Sequence, residues 1–372
     1  MDKTLLDCRI VEVKGGQVCG RYPRLIGKNG KRGEHGYACY TDIVMLKTDT
    51  GHTGWGLGRA DRTLKLWLEG SKVSEVFQPE IGVVFPALCA ADAALHDLAG
   101  NILGIPVSRM INPDSKMTAL CYDGAIYLSD LTEKGDLGAE AVLRDCRADV
   151  KMGLRDFKVK IGRGKNWMEH EAGLKRDIDI IRSIRREFPN ARILVDANDS
   201  MDLKTVIAFM EGVKDCGIYW VEEPFPENYE DCWALKEYLR KESPQTLLAD
   251  GEFNYDAEAV IDMARKGVLD VLLMDPESYG FTAWRKLVRK CVGTPVKCSP
   301  HGWGTNLKSR MCAHLAAAYP QVCPMVEWAP DTLEGVDVSG YSMKEGILTI
   351  PEKPGFGMEL EWAVPKEIYK PY

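Results

Sequence analysis

The chain has 372 residues, 45% of them hydrophobic and 28% charged, which suits a soluble globular protein with one large domain and room for a smaller one. A net charge of −7 gives no reason to expect nucleic acid as a partner, although a basic pocket on an acidic surface still suits a small anion. No apolar run approaches the roughly 20 residues that span a bilayer, so no membrane partner is expected.

The N-terminus, MDKTLLDCRIVEVK, lacks the apolar stretch of a signal peptide. The twelve Cys run from Cys8 to Cys323 without a CxxC pair, which argues against structural zinc and a thioredoxin motif. Cys121, Cys298 and Cys323 lie in apolar runs, as reduced, packed thiols of a cytoplasmic protein do. Residues 4–13 and 39–48 read as strands, and TGWGLG after the turn at Asp49–His52 reads as a hairpin partner. Between the two strands, residues 14–36 are Gly-rich and basic, and are expected as a long mobile loop. An Ala-rich helix follows over about 84–103, closed by Gly104 and Pro106. Residues 1–116 therefore read as an α+β unit, rejoined by about 352–372.

From residue 117 the pattern changes. Strands recur near 119, 157, 193, 219, 247, 271, 296 and 325. Helices are predicted over 173–187, 202–214, 230–241, 256–266, 282–291 and 306–318. Such alternation gives a parallel sheet with right-handed crossovers, an α/β fold. The apolar runs end in Lys158 and Lys160, then Asp196, Glu222, Glu252, Asp275, His301 and Glu327. Polar groups at most strand C-termini favour a barrel over residues 117–351, where the tips converge on one mouth. GRGKNW at 162–167 lacks the GK[ST] ending of a phosphate loop.

Asp196, Glu222 and Glu252 end successive strands, and neighbouring strands lie roughly 4.8 Å apart, so all three could reach one ion. An all-carboxylate set suits Mg²⁺ with open positions for water or substrate. Glu223 points opposite to Glu222, so one of the two faces the metal; Asp250 shares a face with Glu252 and is the ligand or a deeper neighbour. Lys158 and Lys160 both point inward. Two ammonium groups held together are expected to depress a Lys pKa and make a general base. His301 beside Asp275 forms an acid/base pair. Glu327 ends the last strand, as a further site residue or a rim salt bridge.

With GWG at 54–56, the helix ALCAADAALHDLAGNILGIPV, KVK at 158–160, VDAN at 195–198, VEEP at 221–224, SPHG at 299–302 and VEW at 326–328, the chain resembles the enolase superfamily, in its mandelate racemase-like subgroup. It departs at Leu57, where Glu is frequent, and at His96, where Trp is usual. The resemblance implies a (β/α)7β modified TIM barrel with an α+β N-terminal capping domain, and a homo-oligomer. It implies Mg²⁺ on Asp196, Glu222 and Glu252, with Lys160 as base on one face of a carboxylate substrate. Lys158 would tune Lys160 and touch the substrate carboxylate. His301, paired with Asp275, would serve the other face, and Glu327 would hydrogen-bond the enediolate.

The step so implied is removal of the proton α to a carboxylate. A basic lid over 14–36 suits a sugar acid, with Arg21 and Arg24, together with Asn198 and Tyr122, as substrate-binding candidates. Dehydration of an aldonate or aldarate to a 2-keto-3-deoxy acid is the favoured reaction. Racemisation or epimerisation of a 2-hydroxy acid uses the same groups. A Schiff-base aldolase needs no carboxylate triad, and a non-catalytic carboxylate-binding barrel would lack acid/base residues that are all present here.

Overall fold

The computed structural model describes residues 3–132, 135–253 and 256–366. The N-terminal sheet is built from β1 (Ile10–Ile26), β2 (Gly36–Thr48) and β3 (Thr53–Leu57), antiparallel in that order. The segment expected as a mobile loop is strand as far as Ile26, and only residues 27–35 connect β1 to β2. The glycines that suggest a loop serve close packing instead: a Cβ on Gly20 would lie 2.8 Å from Thr305 Cγ2. The Ala-rich helix α1 (Asp92–Leu103) packs on β3 and stops at Gly104, which takes φ 68°. Gly54 of the GWG segment faces α1, where a Cβ would strike the Leu98 backbone. Two late segments, Thr332–Glu334 and Val364–Lys366, pair with the free edge of β1.

From residue 118 strand and helix alternate: β4 (Thr118–Ile126), α2 (Ala139–Lys151), β5 (Phe157–Lys160), α3 (His170–Glu187), β6 (Ile193–Asp196), α4 (Leu203–Gly212), β7 (Ile218–Glu222) and α5 (Tyr229–Glu242). The series continues with β8 (Leu247–Asp250), α6 (Ala257–Arg265), β9 (Val271–Leu272), α7 (Phe281–Cys291), β10 (Lys297–Cys298), α8 (Asn306–Ala318) and β11 (Val326–Trp328). The strands pair in parallel in the order β10-β9-β8-β7-β6-β5-β4-β11. Among the described residues no ladder joins β10 to β11; Cys298 N–H donates to Val322 O at 2.9 Å and Ser299 Oγ to Met325 O at 3.1 Å across that gap.

The predicted helices all form, several of them started by side-chain caps. Asp202 accepts from Thr205 N–H at 2.8 Å at the head of α4, and Asn228 from Asp231 N–H at 2.9 Å at the head of α5. Helix α2 is absent from the sequence prediction. Its buried face carries Asp145 and Asp149 among Ala141, Val142 and Cys146, which hides its apolar periodicity. Between the inner faces of the strands, Tyr122, Leu194, Trp220, Ala249, Val271, Leu273 and Met325 pack into a buried cluster. This apolar layer forms the floor on which the polar strand tips stand. No helix of the described residues is long and apolar enough to cross a membrane.

Candidate active site

Register carries the candidate residues to one place. Lys160, Asp196 and Glu222 are successive Cα partners across β5, β6 and β7, so their side chains emerge at one level. Glu252 follows β8 at the same end. One oxygen from each of Asp196, Glu222 and Glu252 lies within 4.8 Å of the others. Glu252 Oε2 is buried without a hydrogen-bond partner. A hard all-oxygen donor set with an uncommitted carboxylate oxygen fits a divalent cation such as Mg²⁺.

Lys158 lies in the middle of this set. Its Nζ is 2.5 Å from Glu222 Oε1, 2.8 Å from Glu327 Oε1, 3.2 Å from Asp196 Oδ2 and 3.8 Å from Glu252 Oε2. Lys160 Nζ donates to Asp196 Oδ2 and lies 5.4 Å from the centre of the Tyr127 ring. These contacts correct the expectation of depressed lysine pKa values. Burial opposes the charge on both ammonium groups, but Glu222, Glu327 and Asp196 outweigh it for Lys158, and Asp196 does so for Lys160; both are raised. Burial likewise opposes the charge on Asp196, yet Lys160 and Lys158 hold its carboxyl well below the usual range.

The second arm comes from the ends of β9 and β10. His301 Nδ1 pairs with Asp275 Oδ2 at 2.8 Å, leaving Nε2 toward Glu252 Oε2 at 3.6 Å and Glu327 Oε2 at 3.9 Å. Burial disfavours the imidazolium, but Glu252, Asp275 and Glu327 together raise the His301 pKa. Glu327 Oε2 also accepts from Gly302 N–H at 2.9 Å, which fixes it inward instead of as a rim salt bridge.

Between the arms lies a cavity of about 320 Å³. Lys160, Tyr127, Asp275, His301 and Trp303 line it, with the Tyr127 and Trp303 rings 5.2 Å apart. Asn198, Asp199, Glu223, Glu252 and Phe253 also line it, and Asn29, Lys31, Arg32 and His35 of the connection after β1 cover it. Both neighbouring glutamates reach this end: Glu222 joins the triad, while Glu223, at φ 40°, turns to the cavity wall. Asn198 and Asp199 also have left-handed φ, so three strained non-glycine residues cluster at the site. A larger open groove, about 800 Å³, lies beside Trp55, Asp97 and Met358 and contains none of these groups.

Asn198 is thus the one of the four substrate-binding candidates that lines the cavity. Arg21 instead pairs with Glu334 on an exposed part of the capping sheet. Arg24 is held by Asp149 at 2.5 Å and Asp145 at 3.5 Å on α2, because helix and strand each bury one half of that ion pair. Tyr122 is 1% exposed and packs edge-on to Trp220 in the floor, below the cavity. Asp250 is a deeper neighbour, its Oδ1 accepting from Gly251 N–H at 2.7 Å outside the triad. Tyr127, Phe253 and Trp303 are absent from the sequence candidates, although each lies within a few residues of a strand end or of a predicted site residue.

The strand tips of this parallel α/β domain thus bring a carboxylate triad, a lysine pair and an Asp275–His301 pair together at one end, beside a single cavity. The chain belongs to the enolase C-terminal domain-like family, whose model matches residues 141–364. It is similar to D-galactarolactone cycloisomerase of Agrobacterium fabrum, at 25% identity over 86% of this chain and 88% of that protein. Galacturonate dehydratase from Geobacillus sp., solved with D-galacturonate and 5-keto-4-deoxy-D-galacturonate, superposes with a TM-score of 0.87 at 30% identity, covering 96% of this chain and 95% of that one. A mandelate racemase/muconate lactonizing protein from Geobacillus sp. Y412MC10, solved with magnesium and tartrate, superposes with a TM-score of 0.88 at 29% identity, covering 95% and 93%.

Proposed function

We propose that the protein is a Mg²⁺-dependent sugar-acid dehydratase, which removes the proton α to a carboxylate and expels the β-hydroxyl as water. The observation that carries this reading is that Lys160, which donates to Asp196, and His301, with Nε2 3.6 Å from Glu252 Oε2, line one cavity beside the carboxylate triad. Asp196, Glu222 and Glu252 would hold Mg²⁺, which supplies Lewis-acid stabilisation of the enediolate formed at the substrate carboxylate. Lys160 Nζ, once deprotonated, takes the α-proton. His301 Nε2 gives a proton to the departing β-hydroxyl, with Asp275 stabilising the ring at Nδ1. The enol then collapses to a 2-keto-3-deoxy acid. Lys158, a cation held between Glu222 and Glu327, would add positive charge for the developing oxyanion, with Glu327 fixing its place.

The keto-deoxy compound bound by the Geobacillus dehydratase carries its ketone α and its deoxy carbon β to the carboxylate, the same outcome on a uronate. The substrate class is therefore taken as sugar acids, uronates included beside aldonates and aldarates. The same reading takes residues 1–116 with about 352–372, of which 1–2 and 367–372 lie outside the described residues, as a capping domain on a closed (β/α)7β barrel over 117–351, with Thr332–Glu334 joining the capping sheet. It places a homo-oligomer in the cytoplasm, in keeping with nine buried free thiols.

The test is a screen of mono- and diacid sugars for 2-keto acid formation with Mg²⁺. A keto acid from at least one substrate supports dehydration. Deuterium entering Cα with inversion, and no keto acid, would establish an epimerase in its place.

A further inference from the structure

The contacts that begin at the cavity with His301 do not end at Asp275. Asp275 Oδ2 accepts from His301 Nδ1 at 2.8 Å and from Lys308 Nζ at 2.8 Å, while its Oδ1 accepts from Glu277 N–H at 2.8 Å. Lys308 Nζ is also 3.1 Å from Glu277 Oε1. Lys308 is only 6% exposed and does not line the cavity. It stands in the first turn of α8, where the helix dipole disfavours a cation. Burying an ammonium group is also unfavourable unless it is paired. Neither helix formation nor packing explains a lysine here; the carboxylates of Asp275, at 2.8 Å, and Glu277, at 3.1 Å, do.

We propose that Lys308 is a positioning residue for the His301 step, so that the arm is a chain of three: imidazole, carboxylate, ammonium. The proposal rests on the reading of His301 as an acid/base group. Three donors on two oxygens prevent the Asp275 carboxylate from rotating. A carboxylate so fixed holds the Nδ1–H of His301 in one direction and keeps Nε2 aimed at the cavity. Lys308 also counterbalances the negative charge of Asp275, which lies beside the acidic triad.

The experiment compares wild type, His301→Asn, Lys308→Met and Lys308→Arg with Mg²⁺ and the sugar acid that the screen identifies. It measures kcat and KM for keto-acid formation, and the rate of α-proton exchange in D₂O. Lys308→Met should lower kcat by about 10–100-fold, the effect usual for a residue supporting a site ligand, with KM held within about twofold. It should keep whatever exchange His301→Asn keeps, and Lys308→Arg should recover most of kcat. A Lys308→Met enzyme with wild-type kcat would overturn the proposal. So would equal loss of turnover and of the exchange that His301→Asn retains, or a Lys308→Arg enzyme no better than Lys308→Met. Lys308→Gln serves if the Met variant does not fold. Failure of the wild type to turn over any sugar acid would sink the parent reading and this one together, whereas an unaffected Lys308→Met beside an active wild type sinks this one alone.

Discussion

Lys160 and Asp196 are register partners on β5 and β6, and Lys160 Nζ donates to Asp196 Oδ2. The proposed base and the proposed metal site therefore share one carboxylate. A cation held by Asp196 would draw on the same negative charge that keeps the Lys160 ammonium protonated, so metal binding and proton abstraction are coupled through a single side chain.

Asp196→Asn tests that coupling. The substitution removes one triad carboxylate and leaves Lys158 and Lys160 buried with less counter-charge. Loss of several kcal/mol of charge stabilisation corresponds to a fall in kcat on the order of 10³-fold. Calorimetric titration with Mg²⁺ should show binding weakened in parallel. Undiminished Mg²⁺ affinity would remove Asp196 from the ligand set.

Chelation tests the triad as a whole. EDTA should abolish turnover, and added Mg²⁺ should restore it. The melting temperature should also rise with Mg²⁺ concentration, because a ligand that binds only the folded state stabilises it by about 2.7 kcal/mol at 100 times its Kd. Turnover that survives complete chelation would refute the metal assignment.

The two arms should fail differently. Lys160→Ala should abolish dehydration together with the α-proton exchange that belongs to its face. His301→Asn should abolish dehydration by removing the proton donor to the leaving group. General acid–base groups contribute about 10²–10⁴-fold, which sets the expected fall in kcat for each. A Lys160→Ala enzyme with full exchange into deuterated solvent is not missing its base, and the roles would then be reassigned.

The strand tips were legible because a carboxylate or lysine ending an apolar run contributes nothing to a buried strand. Asp196, Glu222, Glu252, Asp275, His301 and Glu327 all declare themselves that way. The long β1 was not, because Gly20 contacts Thr305, a residue far along the chain, and close packing leaves no local signal. Helix α2 was hidden for a related reason: Asp145 and Asp149 sit on its buried face only because Arg24 meets them from β1. Lys308 lies in a helix, outside the strand-end pattern, and its role depends on a contact with Asp275 that sequence spacing does not reveal.

Arg24 and Arg21, alike in sequence, should behave oppositely. Arg24→Ala leaves the fully buried Asp149 without its guanidinium. Breaking such a buried pair costs about 3–5 kcal/mol, which urea unfolding will read, while KM for the sugar acid stays unchanged. Arg21→Ala removes an exposed pair with Glu334 and should leave both stability and KM as they were. A large KM effect from either would return it to the substrate site.

Asp97 predicts how stability depends on pH. Its Oδ1 accepts from Phe356 N–H at 2.7 Å, and its Oδ2 from Trp55 N–H at 3.0 Å and Asn101 Nδ2 at 3.1 Å. It thereby ties the N-terminal hairpin, helix α1 and the C-terminal segment together. Burial pushes its carboxyl from the ordinary 3.8 up to about 7, more than these donors lower it. The folded state therefore binds the proton more tightly than the unfolded chain does. The contribution is complete below about pH 3.8 and is lost as pH rises through about 7. At about 1.4 kcal/mol per pKa unit, the change is on the order of 4 kcal/mol. Asp97→Asn removes this titration and sets an amide N–H against a backbone donor, so it should be destabilised throughout. Urea unfolding between pH 4.5 and 8 should show the advantage of wild type over Asp97→Asn shrinking as pH rises. An advantage that grows with pH would mean the three donors hold Asp97 ionised, with its pKa below that of the unfolded chain.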